Sequence, residues 1–285
     1  MQETDIYSYT YSTSFDGEGA ITSAIDYVVN SDQPIIYLLE GHGEADLPSQ
    51  LADEIEQDNY EVQTLSLVTE NAIPDDGSAV VIYAPQTDIA EQELEILSDY
   101  VAEGGRLLVM AGPSEEDDLD VLYQLLETYG LQAQDGIVID TDSTHYAFGS
   151  PYILLPDLST ESAITSPLVE SDYAATMPIA LGLTGWEDAD GVTALMTTSD
   201  SAYSKIAGYE LTTYDREDGD IDGPFALAVA IDDGEGQIVW FTSSDFVSDD
   251  YNAYSSTLTW LLVGLFPLAY LAVGVGMVLA RRRLR

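Results

Sequence analysis

The chain has 285 residues, enough to bury a sizeable core, and 52 acidic against 7 basic side chains give it a net charge of -45. Such a surface repels phosphate backbones, which excludes nucleic acid as a partner. It reads as solubility at high salt or outside the cell, with a cation-collecting surface or a basic partner as the sharper alternative. Cysteine is absent, so disulfides and thiol nucleophiles are excluded as well.

Residues 6–11 alternate with period two and predict an edge strand, and residues 18–29 predict a helix with Ala20, Ile21, Ala24, Ile25 and Val28 inward. Next comes the run Ile35 to Leu39, five apolar residues that read as a strand buried on both faces. It breaks into Gly41-His42-Gly43-Glu44, where the glycines permit positive φ and a close backbone approach. A helix is expected to follow, with Asp46 as N-cap and Leu47, Leu51 and Ile55 on its inner face.

A second strand is predicted over 60–67 and a third over 79–83, ending at Ala84-Pro85-Gln86-Thr87-Asp88. The helix over 90–103 stops at Gly104-Gly105, and the fourth strand, 106–110, ends at Ala111-Gly112-Pro113-Ser114. A helix over 119–129 is closed by Gly130, and 136–140 reads as a fifth strand. Strands alternating with helices of this length imply βαβ units and a mostly parallel sheet.

From about Thr141 to Gly191 the texture turns to Pro, Ser and Thr, as in an insertion or second lobe. Order returns at Val192, and 225–231 with 237–242 reads as a β-hairpin whose last strand ends at Ser243-Ser244-Asp245. Leu258 to Ala280 carries no charge and is long enough for a membrane-spanning helix, with Tyr251, Tyr254 and Trp260 as an aromatic belt. Arg281, Arg282, Arg283 and Arg285 mark the cytoplasmic end and place the preceding chain outside. Ala272, Gly276 and Ala280 form a small-residue stripe along that span. Because the region before Thr13 is polar, an N-terminal signal-anchor missing from this chain is expected. The organisation reads as an N-terminal strand and helix (1–30), an α/β domain (31–140), and an insertion or second lobe with a hairpin completing the ectodomain (141–246). A stalk (247–257), a transmembrane helix (258–280) and an Arg-rich tail (281–285) follow.

Phe15-Asp16-Gly17-Glu18 with Ile21-Thr22-Ser23-Ala24-Ile25, then Gly41-His42-Gly43-Glu44, resembles the extracytoplasmic region of GldG-type gliding-motility-associated ABC transporter auxiliary proteins. So do Asn59-Tyr60-Glu61-Val62, Ala84 to Asp88, Tyr100 with Gly104-Gly105-Arg106-Leu107-Leu108, and the Arg-flanked terminal span. The resemblance covers roughly residues 15–140 and continues beyond them in pattern only. It implies a Rossmann-like or glutamine-amidotransferase-like α/β fold with helices on both faces. It also implies anchoring in a bacterial plasma membrane and association with an ABC permease and its ATPase.

His42 and Glu44 could form an acid/base or metal pair on one loop. The only other histidine is His145, the amidotransferase-like fold has no cysteine to use, and neither a G-x-S-x-G elbow nor a Walker A loop occurs. No catalytic residue and no cofactor are therefore assigned. Asp218, Asp220 and Asp222 match the first half of a calcium loop, but position twelve is Val229 and Pro224 follows the glycine, so the segment reads as a solvated acidic turn.

The function expected is that of a non-catalytic, membrane-anchored accessory subunit of an ABC-type exporter. A stand-alone carbohydrate- or cell-wall-binding module is the alternative, and a hydrolase using His42 and Glu44 the lesser one. The binding residues expected are Gly41, His42, Gly43 and Glu44; Gln86, Thr87 and Asp88; Gly112, Pro113 and Ser114; and Ser244 and Asp245. At the carboxyl ends of parallel strands these loops would open on one side of the sheet, around a small ligand, a glycan or a partner. In that reading His42 is solvent-accessible or bonded within the crevice, and its loss impairs the complex while sparing the fold.

Overall fold

In the computed structural model, which describes residues 2–5, 10–13, 34–115, 118–171 and 173–247, buried runs and amphipathic stretches alternate as far as residue 127. The strand Ile35–Leu39 (β1) leads to the helix Ser49–Gln57 (α1) and the strand Glu61–Leu65 (β2). Strand Gly77–Tyr83 (β3), helix Glu91–Ala102 (α2) and strand Arg106–Met110 (β4) come next, followed by helix Asp120–Glu127 (α3). The α1 helix starts later than the sequence suggests: its N-cap is Pro48 with no side-chain cap, and Asp46 is exposed. Ahead of β1, Gln2–Asp5 pairs antiparallel with Thr10–Thr13 on either side of the expected 6–11 strand, whose residues 6–9 lie outside the described ones. The expected helix over 18–29, the span and the tail also lie outside them. Among the described residues no helix is long and apolar enough to cross a membrane.

The second half adds strands Gln132–Gln134 (β5), Ile137–Asp140 (β6), Gly182–Thr184 (β7), Val192–Thr197 (β8), Ala202–Lys205 (β9), Ala226–Asp232 (β10) and Gln237–Phe241 (β11). The main sheet has ten strands, with the path Asp157–Leu158, β8, β10, β11, β4, β3, β1, β2, and with β7 and β5 branching from β10. Neighbours from β11 to β2 are parallel; every pairing from β11 outward through β10 is antiparallel.

Two expectations are corrected here. The sheet is mixed rather than mostly parallel. The fifth parallel strand is β11, the second arm of the β10–β11 hairpin, and not the expected 136–140. Strand β6 instead pairs antiparallel with β9 in a separate three-stranded sheet. All four residues of β6 are buried, and a short apolar run looks the same in any buried sheet, so periodicity could not choose between them.

Helices pack on both faces of the parallel strands. On one, Leu97 and Val101 of α2 and Leu122, Leu125 and Leu126 of α3 join Val80, Ile82, Leu107, Val109, Ile238 and Trp240. On the other, Leu51 and Ile55 of α1 meet Ile36, Ala79, Val81, Leu108 and Val239. Each fully buried Leu or Ile contributes about 1.5–3 kcal/mol, and the period-two alternation along each strand supplies both layers at once. The order β2-β1-β3-β4-β11 places a reversal of strand order between β1 and β3. Strand ends diverge at such a point, and ligands of open α/β sheets sit there.

Candidate functional site

The loop leaving β1 enters that reversal. Gly41 and Gly43 have φ of 129° and 75°, and a Cβ on Gly43 would lie 3.2 Å from the Gln86 side chain, so glycine is required for the approach to the β3 loop. The two loops are stitched together by backbone: the amides of Gln86 and Thr87 both donate to the His42 carbonyl, at 2.9 and 3.0 Å. Ser114 Oγ, beyond β4, donates to the Gln86 carbonyl at 3.0 Å. The loop after β11 closes the row, since Gly112 packs against Thr242 and Ser243 closely enough that an added Cβ would come within 3.2 Å. Ser244 and Asp245, which follow, are half-buried.

The His42 side chain is 5 % exposed and held from both ends. Nδ1 lies 3.1 Å from Glu44 Oε1, and Nε2 lies 3.1 Å from Glu93 Oε2. Glu44 also takes the amides of Gly41 and His42, at 3.0 and 2.7 Å, and so fastens its own loop. Glu93 takes the amide of Ala90 at 2.9 Å and thereby ties His42 to the first turn of α2. Its Oε1 is buried with no hydrogen-bond donor among the described residues, so His42 and that one amide are its support. The hydrogen bond to Glu44 is the largest effect raising the His42 pKa above its ordinary value; burial opposes it, and the Glu93 charge adds to it. Burial pushes the Glu44 pKa up, but hydrogen bonds from His42 and the backbone amides bring it below the usual carboxylate value. The arrangement sets one imidazole between two buried carboxyl groups, which favours its protonated form.

Both ring nitrogens face protein carboxylates, so neither is turned to a substrate, and the hydrolase alternative loses its base. His42 is bonded within the crevice rather than exposed, which is one of the two placements expected of it. Asp88 is engaged too: Oδ2 accepts the amide of Val121 at 2.6 Å and Oδ1 that of Leu122 at 3.0 Å, so it caps α3 from a distant loop. Gly41, Gly43 and Thr87 remain exposed along this crevice, with Gln86, Pro113 and Ser114 half-buried beside them.

In the acidic segment 218–222, Asp218 and Asp222 are exposed as expected of a solvated turn, but Asp220 is not. Asp220 is buried, its carboxylate 3.3 Å from the ammonium of Lys205, a residue with no exposed surface. It also accepts the amides of Glu217 and Ile206, at 2.8 and 3.2 Å. Burial raises the Asp220 pKa, but those amides and Lys205 outweigh it and hold the group below the ordinary value. Asp222 pairs with Arg216 at 2.8 Å. Among the described residues no group of three or more His, Cys, Asp or Glu is placed to hold a metal ion.

Sequence reasoning missed Glu93 and Lys205, and two clefts. One of about 870 Å³ opens at the amino ends of β3 and β4, between Asn71–Ser78, the end of α2 and the β10–β11 turn. Another of about 360 Å³ lies along β8 beside Trp186.

A family model described as "ABC-type uncharacterized transport system" (ABC_transp_aux) matches residues 33–260, which is most of the chain. The chain belongs to this family. It is accordingly a non-enzymatic auxiliary protein of ABC-type transport. No curated protein matches it. Among solved structures it is similar to the N-terminal domain of mmIFT52, with 17% identity, a TM-score of 0.58, and coverage of 84% of this chain and 97% of that one. It is also similar to a GMP-synthase-type protein of Thermoplasma acidophilum, with 10% identity, a TM-score of 0.50, and coverage of 89% and 100%. At these identities the likeness is one of fold: a mixed α/β sheet with flanking helices, of the kind seen in glutamine-amidotransferase-like proteins.

Proposed function

We propose that the protein is the membrane-anchored extracytoplasmic accessory subunit of an ABC-type transport complex, held by the apolar segment 258–280 beside a permease and its ATPase. The family match over residues 33–260 carries this reading. The charge-free segment closed by four arginines supports the anchoring, with residues 1–257 outside and the tail in the cytoplasm. The division at 30, 140, 246, 257 and 280 belongs to the same proposal.

The contact surface in this reading is the row of loops at the carboxyl ends of β1, β3, β4 and β11. His42, Glu44 and Asp88 fix that surface from beneath. Gly41, Gly43 and Thr87 are its exposed rim, flanked by Gln86, Gly112, Pro113, Ser114, Ser244 and Asp245.

Co-purification of the tagged protein with the permease and ATPase encoded beside it is the expected result. Thr87→Arg, a change on the exposed rim, should reduce that recovery several-fold while leaving the thermal melt unchanged. Recovery of the complete complex with Thr87→Arg would remove the crevice from the interface. Failure of the native chain to recover either of the two would remove the transport reading itself.

A further inference from the structure

Strand β8 has an edge that its neighbours leave open. The amide of Asp232 donates to the Gly191 carbonyl at 2.9 Å, and the register continues as Val192 opposite Ile231, Thr193 opposite Ala230 and Ala194 opposite Val229. Bonding and non-bonding pairs alternate in an antiparallel ladder, so Thr193 turns its amide and carbonyl to β10 while Val192 and Ala194 turn theirs away. The outer edge is occupied further along, where Asp157–Leu158 pairs with Thr197 and Met196. Ser159 then donates to the Leu195 carbonyl at 2.9 Å, and its own carbonyl is taken by Thr165 Oγ1 as the chain turns off. Among the described residues no strand continues that line past Val192 and Ala194.

The cleft of about 360 Å³ runs along this open stretch. Trp186 and Ser159 line it, Glu161 and Glu187 add two carboxylates, and a third, that of Asp157, lies 3.4 Å from His145 Nε2; no Lys or Arg stands among its described lining. An open strand edge asks for a strand, and the indole face with surrounding carboxylates asks for cations. A second copy of this chain would bring the same carboxylates to the same groove and be repelled.

We propose that this groove receives an extended, basic segment of a partner protein, which adds to the edge of β8 in line with Asp157–Leu158. Backbone bonds to Val192 and Ala194 would fix the register, and alternate Lys or Arg side chains would reach Trp186, Glu161 and Glu187. The site is separate from the crevice at β1 and β3, so the proposal stands or falls independently of that one.

The test uses the purified full chain and a fluorescein-labelled hexapeptide, Lys-Val-Lys-Val-Lys-Thr. A second peptide of the same charge is N-methylated at the alternate amides that would face the edge. The parent peptide should bind, and the methylated one about tenfold or more weaker, because bulk attraction to the net charge treats both alike. Val192→Pro, which removes an outward amide and no bond to β10, should weaken the parent peptide comparably. The surface double variant Glu161→Lys, Glu187→Lys should do the same with an unchanged melt. Equal binding of the two peptides would overturn the proposal, as would displacement of the parent peptide by a cello-oligosaccharide, which would make the groove a sugar site.

Discussion

Between Glu44 and Glu93, His42 gains a partner on each side, and its folded pKa lies above the ordinary 6.5. The stabilisation it gives is therefore complete below about pH 6.5 and is lost as the pH rises through the folded value. Glu44, held below 4.5, contributes above that value and fades as the pH falls through its own folded value. Urea melts of the native chain and His42→Gln, run from about pH 5 to about pH 9, should give a stability difference that is largest at the acid end and shrinks with rising pH. His42→Ala should lose about 3–5 kcal/mol near pH 6, because two buried carboxylates lose their shared cation. A pH-independent difference would mean the imidazole is neutral throughout. The close approach of the His42 loop to its neighbour was legible from the glycines beside it. Its partner was not, since a glutamate on a helix ordinarily reads as solvated. The trace it left is that Glu93 shares the inward stripe of Leu97 and Val101 at spacings of four, where a charge needs a reason.

The segment between β9 and β10 shows the same lesson at the scale of an element. Three bases precede the terminal cluster, and one of them, Lys205, sits at the end of the fully buried strand β9 with the acidic loop folded over it. Its ammonium donates to the Asp215 carbonyl and to Glu217, each at 2.6 Å, as well as to Asp220. Lys205→Met should destabilise the fold in a chemical melt, because Asp220 loses its countercharge. Calcium added to the native chain should give no stoichiometric heat, since the central carboxylate of the supposed loop already faces an ammonium; a tight site abolished by Asp220→Ala would reverse that assignment. Composition announced a scarce lysine but not its depth. Element positions up to α3 were legible because each carries its own period, with β4 recovered at its full bounds. The destination of β6 depended on which strands were left to pair with it, and no local pattern encodes that.

Across the whole molecule, the net charge of -45 works against compaction, because like charges repel more in the folded chain than in the expanded one. Raising sodium chloride from about 0.1 M to about 1 M shortens the screening length from about 10 Å to about 3 Å, so the melting temperature should rise. The buried Lys205–Asp220 pair is little screened and should not offset the gain; a melting temperature that falls with salt would mean that surface ion pairs outweigh the repulsion. The antiparallel half of the sheet was legible only as a hairpin. Where that hairpin would dock is a long-range fact, set by the bare edge of β4. That docking also governs how the chain can be made. Strand β11, the last one described, enters the interior of the sheet, between β4 and β10. A ribosome adding about 5–20 residues per second has therefore emitted nearly all of the described residues before the sheet can close. Until residue 241 emerges, β4 has an uncovered edge and Trp240 is not yet in place, so the nascent chain must be kept from pairing with its neighbours for about 7 to 26 s.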